Sequence, residues 1–417
     1  MPILTCGIQM RLAQFVHDCK AGVAPLLALG AIPLFASVGA AVDYGRASGA
    51  RAAMQSALDA TALMLSKESQ NLSGDAFGMK GTSYFNSNFA RPEVQNVVVT
   101  IGSALGSGGN TLNLSATGSV NTAFMSLIGL STIALSVSSG AYAYSDGLGC
   151  VLSLDPHANG ATTGQGSTTV NLNGCSLYDD SDNATALVAG GSAKISALSV
   201  GVVGGISGAQ NIAATQGIKT GGGPVPDPYA NDSYPSFSSC SQQNYTGKTV
   251  ETINPGVYCG GMKFNAGANV TLNPGIYYLD GGGFAVDGGA TVSGNGVTLV
   301  FTKKNSNNWG TATVNGNATV TLTPPKSGPT AGIVVFGDRN IPLGTTFKFN
   351  GGASQYLAGA IYVPTGAITF AGGIGASNSC TQIIGNTVTF VGNSSLAVDC
   401  SSYNTKPFSP LVIRLTS

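Results

Sequence analysis

The chain has 417 residues, with 18 basic and 18 acidic side chains, a formal net charge of zero and 60 glycines. Zero net charge, with charged residues at 9%, argues against nucleic acid as a partner, which would need a basic surface. A hydrophobic content of 43%, alternating in strand fashion, argues against disorder and for a mainly β fold.

Residues 1–21 form a short head of mixed charge without a motif. The run 22–42, GVAPLLALGAIPLFASVGAAV, carries no charge and lies between Lys20 and Asp43. At about 1.5 Å per residue it covers the hydrocarbon core of a bilayer, so it reads as a single transmembrane helix. The prolines Pro25 and Pro33 are better tolerated there than in a soluble helix. A cleaved signal peptide and a buried core helix are the rival readings. An h-region is usually shorter than this run, and a core helix would be interrupted by polar residues. Arg11 and Lys20 favour a cytoplasmic head, whereas Arg46 and Arg51 weaken that signal.

Cys150, Cys175, Cys240, Cys259, Cys380 and Cys400 all lie beyond the uncharged run, an even number that suits three disulfides in an oxidising compartment. Six cysteines allow 15 connectivities. Neighbour pairing (Cys150–Cys175, Cys240–Cys259, Cys380–Cys400) is preferred because each pair lies about one repeat apart. No CxxC favours zinc. The head is therefore placed in the cytoplasm and the remainder on the far side of the membrane.

From Asp43 a helix continues to about residue 68, with Met54, Leu58, Ala62 and Leu65 on one face, read as packing against the adjoining domain. Residues 94–104 and 111–120 read as strands joined by the turn LGSGGN. A short helix over 122–128 and a third strand over 132–144 complete an α+β module spanning 43–145. An apolar span running into VDYGRA, a small-residue helix with LDATAL, and a hairpin leading into NTAFMSLIGLSTIALSVSS together resemble the N-terminal module of the TadG-like proteins of Tad (Flp) pilus assembly. The resemblance covers roughly residues 20–145. It implies inner-membrane anchoring beside the pilus machinery, with other pilus-assembly proteins or pilin as partners. Two features of related proteins are missing. Leu27 stands where a pseudopilin processing site has Glu, and no von Willebrand-type Asp-x-Ser-x-Ser motif occurs.

Residues 146–417 are repetitive. VAGGSAKIS (188), FNAGANVTL (264), VDGGATVSG (286), VNGNATVTL (314), FNGGASQYL (349), FAGGIGASN (370) and FVGNSSLAV (390) are variants of one phrase. The last six start 22, 28, 35, 21 and 20 residues apart. Short alternating strands with Gly and Asn corners at unequal coil-length periods indicate a right-handed parallel β-helix. Phe264, Val270, Leu272, Val286, Val292, Val314, Val320 and Leu322 are expected in its inward column. The Pro-, Gly- and Ser-rich segment 219–241 reads as a long surface loop between two blocks of coils. A β-sandwich is the competing architecture and would require hairpins.

Parallel β-helices can host carbohydrate-active enzymes, so acidic residues were weighed for chemistry. Asp179, Asp180 and Asp182 could bind Ca²⁺ through oxygen ligands, but a solvated loop is the plainer reading. Asp280 and Asp287 could face one groove, or simply form turns. Asp338, Arg339 and Asn340 read as a turn salt bridge, and His157 has no partner nearby in sequence. No nucleophile, metal or phosphate-loop motif occurs. Tyr258, Tyr277, Tyr278, Tyr356 and Tyr362 are candidates for a glycan-stacking face. The expectation is a structural or adhesive envelope protein without catalysis or cofactor. A surface adhesin and a membrane-tethered carbohydrate-active enzyme are the alternatives.

Overall fold

The computed structural model describes residues 23–68, 75–106, 109–145, 147–352, 355–372, 380–397, 400 and 402–416. The head at 1–21 lies outside the described residues. Two compact units are present, one formed by Met1–Tyr144 with Val412–Ser417 and one by Ser145–Leu411.

The smaller unit contains helix α1 (Val23–Glu68), helix α2 (Asp75–Asn88) and strands β1 (Val94–Gly106), β2 (Gly109–Asn121) and β3 (Thr132–Ser145). β1, β2 and β3 are antiparallel neighbours. The fourth strand of this sheet, beside β3, is Leu411–Thr416. A solenoid running from 146 to 417 would have included that strand. Its place in the smaller unit makes the solenoid an insertion between β3 and its sheet neighbour. The expected helical stripe of Met54, Leu58, Ala62 and Leu65 is fully buried, together with Ala47, Ala50 and Ala57. Small side chains let the helix backbone lie close to β2 and β3, whose Leu112, Leu114, Leu135 and Val137 fill the other side of the core.

α1 passes through Pro33 without a break. The span expected over 22–42 is not reproduced as a span, because among the described residues no helix is long and apolar enough to cross a membrane. What is seen at that end is a bare apolar surface, with Leu26, Leu27, Leu29, Ile32, Leu34, Phe35, Val38 and Val42 exposed.

The larger unit is a solenoid-like stack of parallel strands. Phe264, Val286, Val314, Phe349, Phe370 and Phe390, which each open one copy of the repeated phrase, are successive register partners. The repeat spacing is therefore the coil length. A second parallel ladder joins Val270, Val292 and Val320. All eight residues expected in the inward column are buried. Parallel register across these ladders excludes the hairpin-built sandwich. At one corner Gly267, Gly289 and Asn317 occupy equivalent positions with φ of 84°, 81° and 65°, a conformation that Gly and Asn adopt most readily.

The order of stacking differs from the order in sequence. Strands run Gln242–Gly247, Gly256–Phe264, Gly275–Asp280, Val297–Thr302, Ile333–Gly337, Gly359–Gly372 and Thr381–Phe390. The next neighbour is Gly149–Ser153, and beyond it come Ser176–Asp179, Val200–Val202 and Ile218–Thr220. The chain thus enters the stack in its middle, builds outward, and returns to the far end through 221–241. Three disulfides, Cys150–Cys175, Cys240–Cys259 and Cys380–Cys400, have Cα separations of 5.7, 5.6 and 4.7 Å and realise the neighbour pairing.

Truncating Leu272, 1% exposed within the inward column, removes packing that the rigid coils cannot refill. Leu272→Ala should lower unfolding stability by about 2–5 kcal/mol, read as an earlier urea midpoint of the purified chain.

Candidate functional site

Several of the residues that sequence reasoning offered for chemistry, Asp180, Asp338, Arg339, Tyr278 and Tyr362, hold the returning segment instead. Segment 219–241 is the expected surface loop between two blocks of coils, mostly exposed, and it is pinned to the stack. Val225 and Tyr229 are buried in a cluster with Leu152, Tyr178, Phe336 and Tyr362 on the outer face of the stack. The strap is gripped coil by coil. Asp180 Oδ1 accepts the Val225 N–H at 2.7 Å, and the Tyr362 hydroxyl donates to Asp227 Oδ2 at 2.8 Å. Asp338 Oδ2 accepts the Tyr234 hydroxyl at 2.5 Å and the Thr302 hydroxyl at 3.0 Å.

Arg339 is not in a turn salt bridge with Asp338. It donates to the carbonyls of Asp232 and Tyr229 and to the Tyr362 hydroxyl, with its guanidinium over the Phe336 and Tyr362 rings. Burial works to raise the Asp338 carboxyl, but donors from Tyr234, Asn340 and Thr302 outweigh it and hold the pKa below the usual value.

The three carboxylates of the acidic cluster go separate ways. Asp179 is buried against the Ser181 N–H, and burial raises its pKa. Asp180 holds the strap, and burial raises its pKa to about 7, with the charges of Asp179 and Asp227 adding to the effect. Asp182 meets His157 Nδ1 at 2.9 Å with both side chains exposed, and that hydrogen bond raises the imidazole pKa. Among the described residues no three His, Cys, Asp or Glu side chains come together as a metal site.

Asp280 and Asp287 share no partner. Asp280 is buried and accepts from the Lys304 and Asn305 backbone, while Asp287 faces Lys263 at 3.8 Å. The expected stacking face is not assembled, because Tyr258, Tyr277, Tyr278 and Tyr362 are buried, which leaves Tyr356, partly exposed, without the other four. The hydroxyls of the first three donate to backbone carbonyls of Asn254, Ile253 and Asn273, and Pro235.

A different site emerges at the end of the uncharged stretch of α1. Asp43 is 2% exposed, and its carboxylate accepts three backbone N–H groups from the loop after β2. These come from Ala123 at 2.9 Å, Phe124 at 2.8 Å and Met125 at 2.8 Å, at the start of the 3₁₀ turn Met125–Ile128. Burial alone would raise the carboxyl, but the three amides, helped by Arg46, hold it below its ordinary value. One turn earlier Gly39 touches Phe124 so closely that any Cβ there would lie 2.5 Å from the Phe124 Cβ. Gly39 and Asp43 together therefore dock the loop on the helix.

Both docking residues fall inside a segment of known type. Residues 22–64 match the Tad family, described as "Putative Flp pilus-assembly TadE/G-like". No curated protein and no solved structure matches the chain. The Tad-like segment thus covers the apolar end of α1, the docking pair and most of the buried stripe, and stops short of the loop they hold. Sequence reasoning passed over Asp43 because its partners lie 80–82 residues away. The available signal was VDYGR itself, where a carboxylate stands one step beyond an uncharged run.

Two substitutions probe these contacts. The pKa of Asp180 is raised from 3.8 to about 7 in the fold, so the folded state binds its proton more tightly than the unfolded state. The contribution of Asp180 to stability should then be greatest below about pH 4 and fall as pH rises toward 7, by at most ~4 kcal/mol. Asp180→Asn keeps an acceptor for Val225 without the charge, so it should flatten this slope in thermal melts and raise the midpoint above pH 7. Asp43 has the opposite sign, since its depressed pKa contributes stability above the unfolded value that is lost in acid. Asp43→Asn leaves one acceptor oxygen for three amides, and limited proteolysis should cut the chain faster between residues 122 and 131.

Proposed function

We propose that this chain is a membrane-anchored structural or accessory component of Tad (Flp) pilus assembly. The observation that carries this reading is the family match over 22–64, on a helix whose matched end is apolar and exposed. Such a surface is costly in water, at about 25 cal/mol per Å², and a lipid phase removes that cost. We place the head in the cytoplasm, the apolar end of α1 in an inner membrane, and the rest of both units outside it. Supporting this are three disulfides, all after α1, which persist in an oxidising compartment.

In this reading the larger unit is a right-handed parallel β-helix presented to the envelope or cell surface, and the smaller unit engages pilus-assembly proteins or pilin. The role is structural rather than catalytic. In support, Asp179, Asp180, Asp280 and Asp338 are each committed to contacts that hold the fold.

Surface pili counted by electron microscopy in a strain lacking the gene provide the test. Deletion should reduce the count, and the full chain should restore it. The full chain carrying Leu29→Asp, Ile32→Asp and Phe35→Asp should fail to restore pili and should move from the membrane fraction to the soluble fraction. Normal pili in the deletion strain would overturn the assembly role and favour an adhesin that uses the Tad-like segment as an anchor.

A further inference from the structure

The loop that Asp43 holds is itself apolar and turned outward. Leu127 is 84% exposed, Ile128 64%, Leu130 51% and Phe124 49%. It is not a slack loop. Three amides are tied to Asp43, the Thr122 N–H bonds the Ser131 carbonyl at 3.0 Å, and Gly129 closes the 3₁₀ turn in a left-handed conformation. Four large apolar side chains are thus kept in water by a rigid support. No charged residue occurs anywhere from 94 to 145, so neither the loop nor the strands flanking it carry a charge.

The position of the loop says what covers it. It is fastened to α1 at Gly39 and Asp43, where the uncharged stretch gives way to Asp43 and Arg46. On a helix that enters lipid, that is the level of the headgroup boundary. We propose that the loop 124–130 is a second membrane contact, laying Phe124, Leu127, Ile128 and Leu130 into the interfacial layer of the same leaflet that α1 leaves. This rests on the anchoring reading of α1 and adds to it a fixed rotation and tilt. One helix alone can spin and lean, whereas a helix and a loop rigidly joined meet the bilayer at two places. The second contact would hold the smaller unit in one orientation toward neighbouring membrane proteins.

Fluorescence of the full chain in phosphatidylethanolamine–phosphatidylglycerol vesicles tests the proposal. The single Trp of the sequence is removed by Trp309→Phe, and one reporter is introduced at a time, Leu127→Trp in the loop or Leu29→Trp in α1. Both sites are exposed, so the larger side chain meets no packed neighbour. The expected result is blue-shifted Leu127→Trp emission, quenched most by lipids brominated high on the acyl chains. Leu29→Trp should be quenched most by deep bromines. If Leu29→Trp is quenched and Leu127→Trp is not, the anchor stands and the loop contact is overturned. A blue shift at Leu127→Trp without lipid quenching would mean that a second copy of the chain covers the loop, which also overturns the proposal. If neither reporter is quenched, the anchoring reading fails and the loop contact fails with it.

Discussion

The pairing of Thr381–Phe390 with Gly149–Ser153 is the constraint on which the larger unit depends. Through Ile383 and Val151, and then Val388 and Thr162, it sets a late coil against the first one. Once those coils are neighbours, the chain cannot build the stack in one direction. It must grow away from the junction as far as Ile218–Thr220, cross back, and grow toward the junction again from Gln242–Gly247. The crossing segment has to pass several coils, and it is a liability unless it is pinned. Pinning is what Asp180, Asp227, Asp338, Arg339 and the buried tyrosines do. The Cys240–Cys259 disulfide ties down the end where the strap rejoins the stack.

The same logic explains why so few charged residues are used, and where. In a fold whose coils are held by backbone ladders and an apolar column, charge is needed chiefly where irregular backbone must be gripped. Irregular backbone leaves N–H and C=O groups outside the ladders, and a charged side chain can satisfy several of them at once. Asp43 meets that need in the smaller unit, Asp280 does so for the loop after Val297–Thr302, and Arg339 does so for the strap carbonyls. A carboxylate with several amide donors is a strong local clamp. A sequence reader looking for catalysis will be drawn to these positions, since buried acids occur in both settings.

Coil register was legible because partner residues keep the same inward position, so Phe264, Val286, Val314, Phe349, Phe370 and Phe390 open recognisable copies of one phrase. The disulfide pairs came from the same period. Stacking order was not legible, because a repeat says that coils pair but not which two coils meet. The strap was hidden by composition. Pro, Gly and Ser dominate 219–241, and Val225, Tyr229 and Tyr234 are too sparse to form a pattern. α2 was missed because DAFGMKGTSYFNSN contains two glycines and little besides Phe77 and Phe85 to mark a buried side. The strand Leu411–Thr416 was assigned to the solenoid by contiguity, since nothing in LVIRLT says which sheet it will join.

The position of that strand bears on how the chain matures. β3 is synthesised before the whole solenoid, and its sheet neighbour after it. Until residues 411–416 emerge, β3 presents an open edge, and an open edge pairs with whatever strand it meets. A chain stalled or clipped within the coils would carry that edge indefinitely, whatever the state of its disulfides. The sheet of the smaller unit is therefore completed only after the inserted unit has been made in full.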